Sequence, residues 1–343
     1  MFAKKWTKSG REFKTKCARA VDELFLVKHV LRLKAKQYRK PFLVDHSVTE
    51  ISTSGETSVR VKWFERANRW LERGVAIITA AHEGFWLGCL TADDLNAITA
   101  NHFAESQFYP STEHNLSGLF AWEKLAVEQH FIPGSRLLVA GAGAGREVLG
   151  LRKAGFHADG FECSAPLVAA SHKIFDQLGQ ERGVVYSPAD CVPPGPAIYD
   201  GLIIGWTVYT HIPTLQRRIA FLRALGQRAL PQSPVLVSFF VRNTNVRTDA
   251  VVHNVARLFR FVPGLQRQSP ELGDRLSHRR FVHYFTSDAI HGELRSGGFE
   301  VVRYSQDGDA GHAVGILRCP SECSEEALLE PRVSATARER QAP

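Results

Sequence analysis

The sequence predicts an α/β fold: a seven-stranded, mostly parallel, doubly wound sheet that closes with an antiparallel terminal hairpin, preceded by an N-terminal helical region. Three observations carry this expectation. From residue 136 onward, short apolar runs alternate with stretches of helical periodicity, the pattern of a parallel sheet with right-handed crossovers. The apolar run 137–140 leads into three alternate glycines, Gly141, Gly143 and Gly145, after which Val148, Leu149, Leu151 and Ala154 recur at helical spacing. That order reads as buried strand, tight turn and helix N-terminus, where backbone can approach a nucleotide-like ligand closely. Finally, the last two strands are separated only by 305–311, too short for a helix, so they pair antiparallel.

Taken in order, the strands are expected at 136–140, 156–162, 184–186, 199–205, 234–240, 299–304 and 312–318. Helices are expected at 145–154, 165–178, 213–229 and 286–296, with Gly155, Gly179 and Gly297 near their C-terminal ends. Ahead of the sheet, 61–73 and 91–103 read as helices, the second opened by Thr91 and Asp94 in a capping-box arrangement. Residues 117–131 form a further amphipathic helix ended by Pro133 and Gly134. The organisation this predicts is a basic arm (1–41), a helical region or lid (42–116), a sheet domain (117–319) and a polar, disordered tail (320–343).

Charge is unevenly placed along the 343 residues. Residues 1–40 hold thirteen Lys and Arg against three acids (Glu12, Asp22, Glu23), whereas the rest holds 30 basic and 32 acidic residues. The overall +8 therefore belongs to the arm. Phe13, Cys17, Val21, Leu24 and Leu31 recur there at helical spacing, which suits either packing on the body or an anionic membrane face or nucleic acid. No apolar run approaches the ~20 residues of a membrane span, and the start lacks a secretory apolar core. Six scattered cysteines, without paired metal-ligand spacing, fit reduced thiols in a cytoplasmic protein and no metal site.

The glycine spacing distinguishes between ligands. A dinucleotide fingerprint needs its third glycine where Arg146 stands, and a phosphate loop needs Gly-Lys-Ser/Thr, which does not follow. Glu162 closes the second strand, 21 residues after Gly141; Asp190 follows the third; Gly205 and Trp206 end the fourth. Together with the terminal hairpin, these features resemble class I S-adenosylmethionine-dependent methyltransferases over about 118–318. The resemblance implies S-adenosylmethionine as cofactor, Gly141, Gly143 and Gly145 against it, Glu162 on the ribose hydroxyls, Asp190 beside the adenine amino group, and Gly205 and Trp206 under the methyl donor. The chain departs from the family in having Ala140 where an acid often precedes the first glycine.

The loop after the fourth strand carries Tyr209 and His211, expected at the carboxyl end of the sheet where chemistry occurs. His211 is a candidate general base and Tyr209 a second catalytic candidate; the alternative for His211 is that it orders the loop before Pro213. Trp206 walls the pocket or packs in the core, and Tyr109 sits where family members place an aromatic lid. Arg146, unfavourable at a helix N-terminus, is expected to face a carboxylate, while Glu147 suits that end. Residues 241–283 carry eight arginines and three acids, an insertion where the family builds its substrate cap, which points to an anionic acceptor or to solvated surface charge. The function expected is methyl transfer to an O or N atom of a small metabolite. RNA methylation through the basic arm is an alternative, although neither an Asn/Asp-Pro-Pro-aromatic tetrad nor a Pro-Cys loop is present. A non-catalytic cofactor-binding scaffold is another.

Overall fold

In the computed structural model the described residues are 58–242, 247–260, 269–277 and 279–319. The basic arm 1–41 and the tail 320–343 of the sequence analysis lie outside them. The chain divides into two compact units, Met1–Trp63 and Phe64–Pro343, and the fold below is that of the second.

The strands are β1 (Arg136–Ala140), β2 (His157–Glu162), β3 (Val184–Tyr186), β4 (Gly201–Ile204), β5 (Pro234–Val241), β6 (Asp274–Ser277), β7 (Arg280–Phe285), β8 (Phe299–Asp307) and β9 (Ala310–Leu317). Strands β3, β2, β1, β4 and β5 lie side by side and parallel, and β9 runs antiparallel along β5 with β8 outside it. The seven expected strands and the antiparallel terminal hairpin are all present. Burial explains the double winding. Leu137, Val139, Ile203, Leu236 and Val314 face one core, while Leu138, Ala140, Leu202, Ile204, Val235, Val237 and Ala313 face the other. Successive residues of a strand point to opposite faces, so strands apolar at every position must be covered on both.

The helices that cover them are α4 (Ala121–His130), α5 (Arg146–Lys153), α6 (Ala165–Gln177), α7 (Leu215–Gly226) and α9 (Ser287–Ser296). They follow α1 (Val59–Cys89), α2 (Ala92–Ala104) and α3 (Thr112–Leu116), and α8 (Arg247–Phe259) precedes β6. Thr91 caps α2 as expected: its hydroxyl accepts from the Asp94 amide, and the Asp94 carboxylate accepts from the Thr91 amide at 2.9 Å. The sequence predicted a helix only over 61–73, but α1 continues for 31 residues. Its second half is held by tertiary contact: Gly84 and Gly88 lie against the α8 backbone, where an added Cβ would stand 2.5 Å from the Val252 carbonyl oxygen and 2.7 Å from that of Ala256. Ala80, Leu87, Leu95, Val252, Ala256 and Phe281 make a third core between these helices and β7. No described helix is long and apolar enough to cross a membrane.

The insertion 241–283 supplies two elements absent from the expected list, α8 and the antiparallel β6–β7 hairpin. Phe240 and Val241, at the end of β5, pair in parallel with Tyr284 and Phe285 of β7. On that same edge β4 pairs only with Val235–Val237, so β7 extends the sheet beyond the carboxyl end of β4.

Candidate active site

The carboxyl ends of β1, β2 and β4 open into one cavity of about 150 Å³, roofed by α2 and by residues 109–115. This is the crevice where parallel sheets hold their ligands.

At the end of β1 the chain turns through Gly141, Gly143 and Gly145, with φ of +68°, +55° and +106°. These left-handed values are strained for any residue with a Cβ. An added Cβ at Gly141 would meet Val208, and at Gly145 it would meet Phe175, but at Gly143 nothing lies within 4 Å. Two of the glycines therefore serve packing, and the middle one leaves open space over the loop. The Gly143 amide donates to Glu162 Oε2 at 3.0 Å, and the Ser164 amide donates to Glu162 Oε1 at 2.8 Å. Glu162 is thus locked at the end of β2, facing the cavity and 8% exposed. Burial pushes its carboxyl above the usual range, against the pull of the Ser164 and Gly143 amides. A carboxylate with two oxygens retains acceptor capacity beyond those bonds.

Asp190 also lines the cavity, in a left-handed conformation with φ +58°. Its Oδ2 accepts from Asn96 Nδ2 at 2.6 Å and from Arg217 Nη1 at 3.1 Å. Arg217 continues to Asp93 at 2.7 Å, so Asp190 joins α2 to the helix that carries Arg217. Burial raises its carboxyl, opposed by Asn96 and Arg217. Trp206 lines the cavity edge-on to Phe120 at 5.5 Å, and its amide donates to Glu147 Oε1 at 3.3 Å.

His211 ends a short 3₁₀ turn (Val208–His211) after β4 and lines the cavity. Its Nδ1 lies 2.7 Å from the Phe281 carbonyl of β7. A carbonyl only accepts, so Nδ1 carries the proton and Nε2 is left with a bare lone pair. That Nε2 is buried and has no hydrogen-bond partner. Burial lowers the imidazole to about 4, so the ring is neutral at physiological pH. The Phe103 ring stands edge-on at 5.3 Å, and Tyr109 stands edge-on to Phe103 at 5.1 Å. The cavity wall around His211 is accordingly aromatic.

The other site expectations fall elsewhere. Tyr209 is fully buried beneath the turn and absent from the cavity wall. Its ring stacks on Phe285, and its hydroxyl donates to Glu293 Oε2 at 2.7 Å. Burial and the neighbouring Glu293 carboxylate hold its phenol well above the ordinary range, so it anchors the turn and has no access to a reacting atom. Gly205 does not line the cavity either. An added Cβ there would stand 2.7 Å from the Gly141 carbonyl oxygen, and the Gly205 amide donates to Ala140 at 2.8 Å. It is the point where the ends of β1 and β4 touch.

Arg146 does face a carboxylate, but one belonging to the chain. Its guanidinium holds both oxygens of Glu123 at 2.7 Å, reaches Glu147 at 2.6 Å and lies over the Phe120 ring at 3.9 Å. No described arginine of 241–283 lines the cavity. Arg275 is taken by Glu83 and Asp249, Arg279 by Glu105, and Arg242 by the Leu272 carbonyl. None of the described residues of the insertion lines the cavity, and they meet the site through the Phe281 carbonyl.

Asn96, Thr99 and Phe103 were missed as site residues although their i, i+3, i+7 spacing places them on one face of α2. They read as the core side of an ordinary helix. Nothing in the sequence points to Arg217 or Phe281.

No protein-family model and no curated protein matches the chain. Among solved structures, it is similar to 1,6-didemethyltoxoflavin N1-methyltransferase from Burkholderia thailandensis, with bound 1,6-didemethyltoxoflavin and S-adenosylhomocysteine. That pair is 15% identical over 67% of this chain and 92% of the other, with a TM-score of 0.48. A S-adenosylmethionine-dependent methyltransferase from Methanosarcina mazei is 14% identical over 59% of this chain and 99% of its own, with a TM-score of 0.45. Magnesium protoporphyrin IX methyltransferase from Synechocystis PCC 6803, with bound S-adenosylhomocysteine, is 18% identical over 61% and 84%, with a TM-score of 0.40. Each is a likeness of fold.

Proposed function

We propose that this chain is a methyltransferase that uses S-adenosylmethionine to methylate an O or N atom of a small, flat acceptor. One observation carries the reading. The open loop at Gly143 and the locked Glu162 carboxylate share a cavity with His211, whose Nε2 is buried and has no partner. The first pair suits a nucleoside with a vicinal diol, and the second suits a proton donor. Gly143 and Glu162 would hold the cofactor, with Asp190 and Trp206 bordering it. S-adenosylmethionine supplies a methyl group already activated on a sulfonium sulfur.

What remains for the protein is to align the acceptor and remove its proton. The rings of Phe103, Tyr109 and Trp206 favour a planar molecule. Among the described residues, the one Lys or Arg lining the cavity is Arg146, which two glutamates already neutralise, so on this reading recognition of the acceptor rests on ring contact. His211 Nε2 accepts a hydrogen bond from the acceptor's hydroxyl or ring N–H and takes that proton as the nucleophile is methylated. An imidazole with its pKa near 4 is a weak base, but it suffices here because a hydroxyl or a ring N–H becomes strongly acidic once it has given its lone pair to carbon.

Titration calorimetry with S-adenosylhomocysteine tests the reading. The wild-type chain is expected to bind. Glu162→Gln, which replaces a charged acceptor by a neutral one, is expected to weaken binding by about tenfold or more. Gly143→Arg, which fills the open space over the loop, is expected to abolish it. A folded wild-type protein that binds neither S-adenosylhomocysteine nor S-adenosylmethionine overturns the proposal.

A further inference from the structure

Helix α1 presents an apolar face that packing inside the unit does not use. Phe64, Trp70, Leu71, Ile77 and Ile78 are each more than half exposed. Trp70 and Ile77 stand seven residues apart, as do Phe64, Leu71 and Ile78, so the five form two adjoining rows on one side of the helix. Arg66, Arg69 and Arg73, spaced i, i+3, i+7, form a third row directly beside the row of Trp70 and Ile77. Glu65 and Glu72 lie beyond the arginines, away from the apolar rows, and Glu65 approaches Arg69 at 3.8 Å. The border of the apolar face next to Trp70 is therefore cationic.

We infer that this segment of α1 lies on an anionic lipid bilayer surface, with Phe64, Trp70, Leu71, Ile77 and Ile78 entering the headgroup–acyl boundary and the arginine row meeting lipid phosphates. A helix of this make-up, apolar and aromatic on one side with arginines alongside, is the form that rests in the plane of a membrane interface. It is not a spanning segment. Charge favours a lipid surface over a second copy of the chain, since an antiparallel copy laid on the same face would set one arginine row against the other. The same charge sign marks residues 1–40, with their thirteen Lys and Arg, so an anionic partner serves both segments. The inference is independent of the methyltransferase reading, because no residue of this face lines the cavity.

Flotation of the full chain with vesicles tests it, using phosphatidylcholine alone and phosphatidylcholine with phosphatidylglycerol. The wild-type chain is expected to float with the anionic vesicles and not with the neutral ones. Trp70→Glu with Leu71→Glu is expected to lower partition onto anionic vesicles by about tenfold, through lost apolar insertion. Arg69→Glu with Arg73→Glu is expected to lower it by a similar factor, through lost charge attraction. All four positions are exposed, so thermal unfolding of both variants should match wild type. Undiminished partition by both variants overturns the inference and assigns the binding to residues 1–40. Absence of wild-type partition also overturns it. So does a dimer in sedimentation that Trp70→Glu with Leu71→Glu dissociates, which assigns the face to a second copy.

Discussion

At the scale of single residues, His211 is decided by one hydrogen bond. The Phe281 carbonyl fixes the proton on Nδ1, which leaves Nε2 as a buried acceptor without a partner. Burial depresses this imidazole from 6.5 to about 4. Between those values the unfolded chain binds a proton that the folded chain refuses, so stability falls as pH drops from about 6.5 toward 4 and is complete above 6.5. The full difference is worth about 3 kcal/mol. His211→Gln keeps a donor for the Phe281 carbonyl and does not titrate, so thermal unfolding compared at pH 7 and pH 5 should show a smaller acid loss in the variant than in wild type. The same substitution should lower the methylation rate by about a hundredfold or more once an acceptor is in hand, while S-adenosylhomocysteine affinity stays within a few-fold. Equal loss of rate and affinity would mean that His211 only orders the turn.

At the scale of elements, α4 and α5 meet through a buried ionic cluster. Arg146 opens α5 and is 3% exposed, held between Glu123 of α4 and its neighbour Glu147. Glu147 in turn accepts from the Trp206 amide, so the cluster ties the glycine loop to the loop after β4. Removing the cation while both carboxylates stay buried is costly: Arg146→Met should destabilise the fold by about 3–5 kcal/mol in urea unfolding. Loss under 1 kcal/mol would show that the carboxylates find water or protons instead. The unfavourable place of an arginine at a helix N-terminus was visible in the sequence, and so was the need for an acid to face it. Which acid was not, because Glu123 stands 23 residues away on a separate helix.

At the scale of the whole sheet unit, the described parts of the insertion join α1, α2 and the sheet. Helix α8 packs on α1 across Gly84 and Gly88, the β6–β7 hairpin extends the sheet past β4, and Phe281 reaches both His211 and Thr99 of α2. The α1–α8 contact, α2 and His211 are thus connected through β7. Gly84→Val places a branched side chain against the Val252 carbonyl and Val255 Cβ, neither of which is a flexible end. It should cost about 1–3 kcal/mol and reduce turnover more than S-adenosylhomocysteine affinity, because α8 and β7 share a core with α2 and Phe281 of β7 holds His211. Unchanged stability would show that α1 and α8 separate without consequence.

What the sequence determined by itself was everything encoded over short spans. The apolar strands, the alternate glycines at 141–145, Glu162 at the end of β2, the Thr91 cap and the terminal hairpin each depend on residues within a few positions of one another, through side-chain periodicity and turn geometry. The long second half of α1 and the β6–β7 hairpin escaped because their support comes from each other's neighbourhood rather than from local pattern. The tertiary structure alone decided which polar atoms are saturated. Tyr209 and His211 are two residues apart in one loop, yet Glu293, 84 positions from Tyr209, takes the hydroxyl out of the chemistry. Phe281, 70 positions from His211, takes Nδ1 and leaves Nε2 without a partner. A hydrogen bond is satisfied by whatever the fold brings within about 3 Å, and local spacing carries no record of that partner.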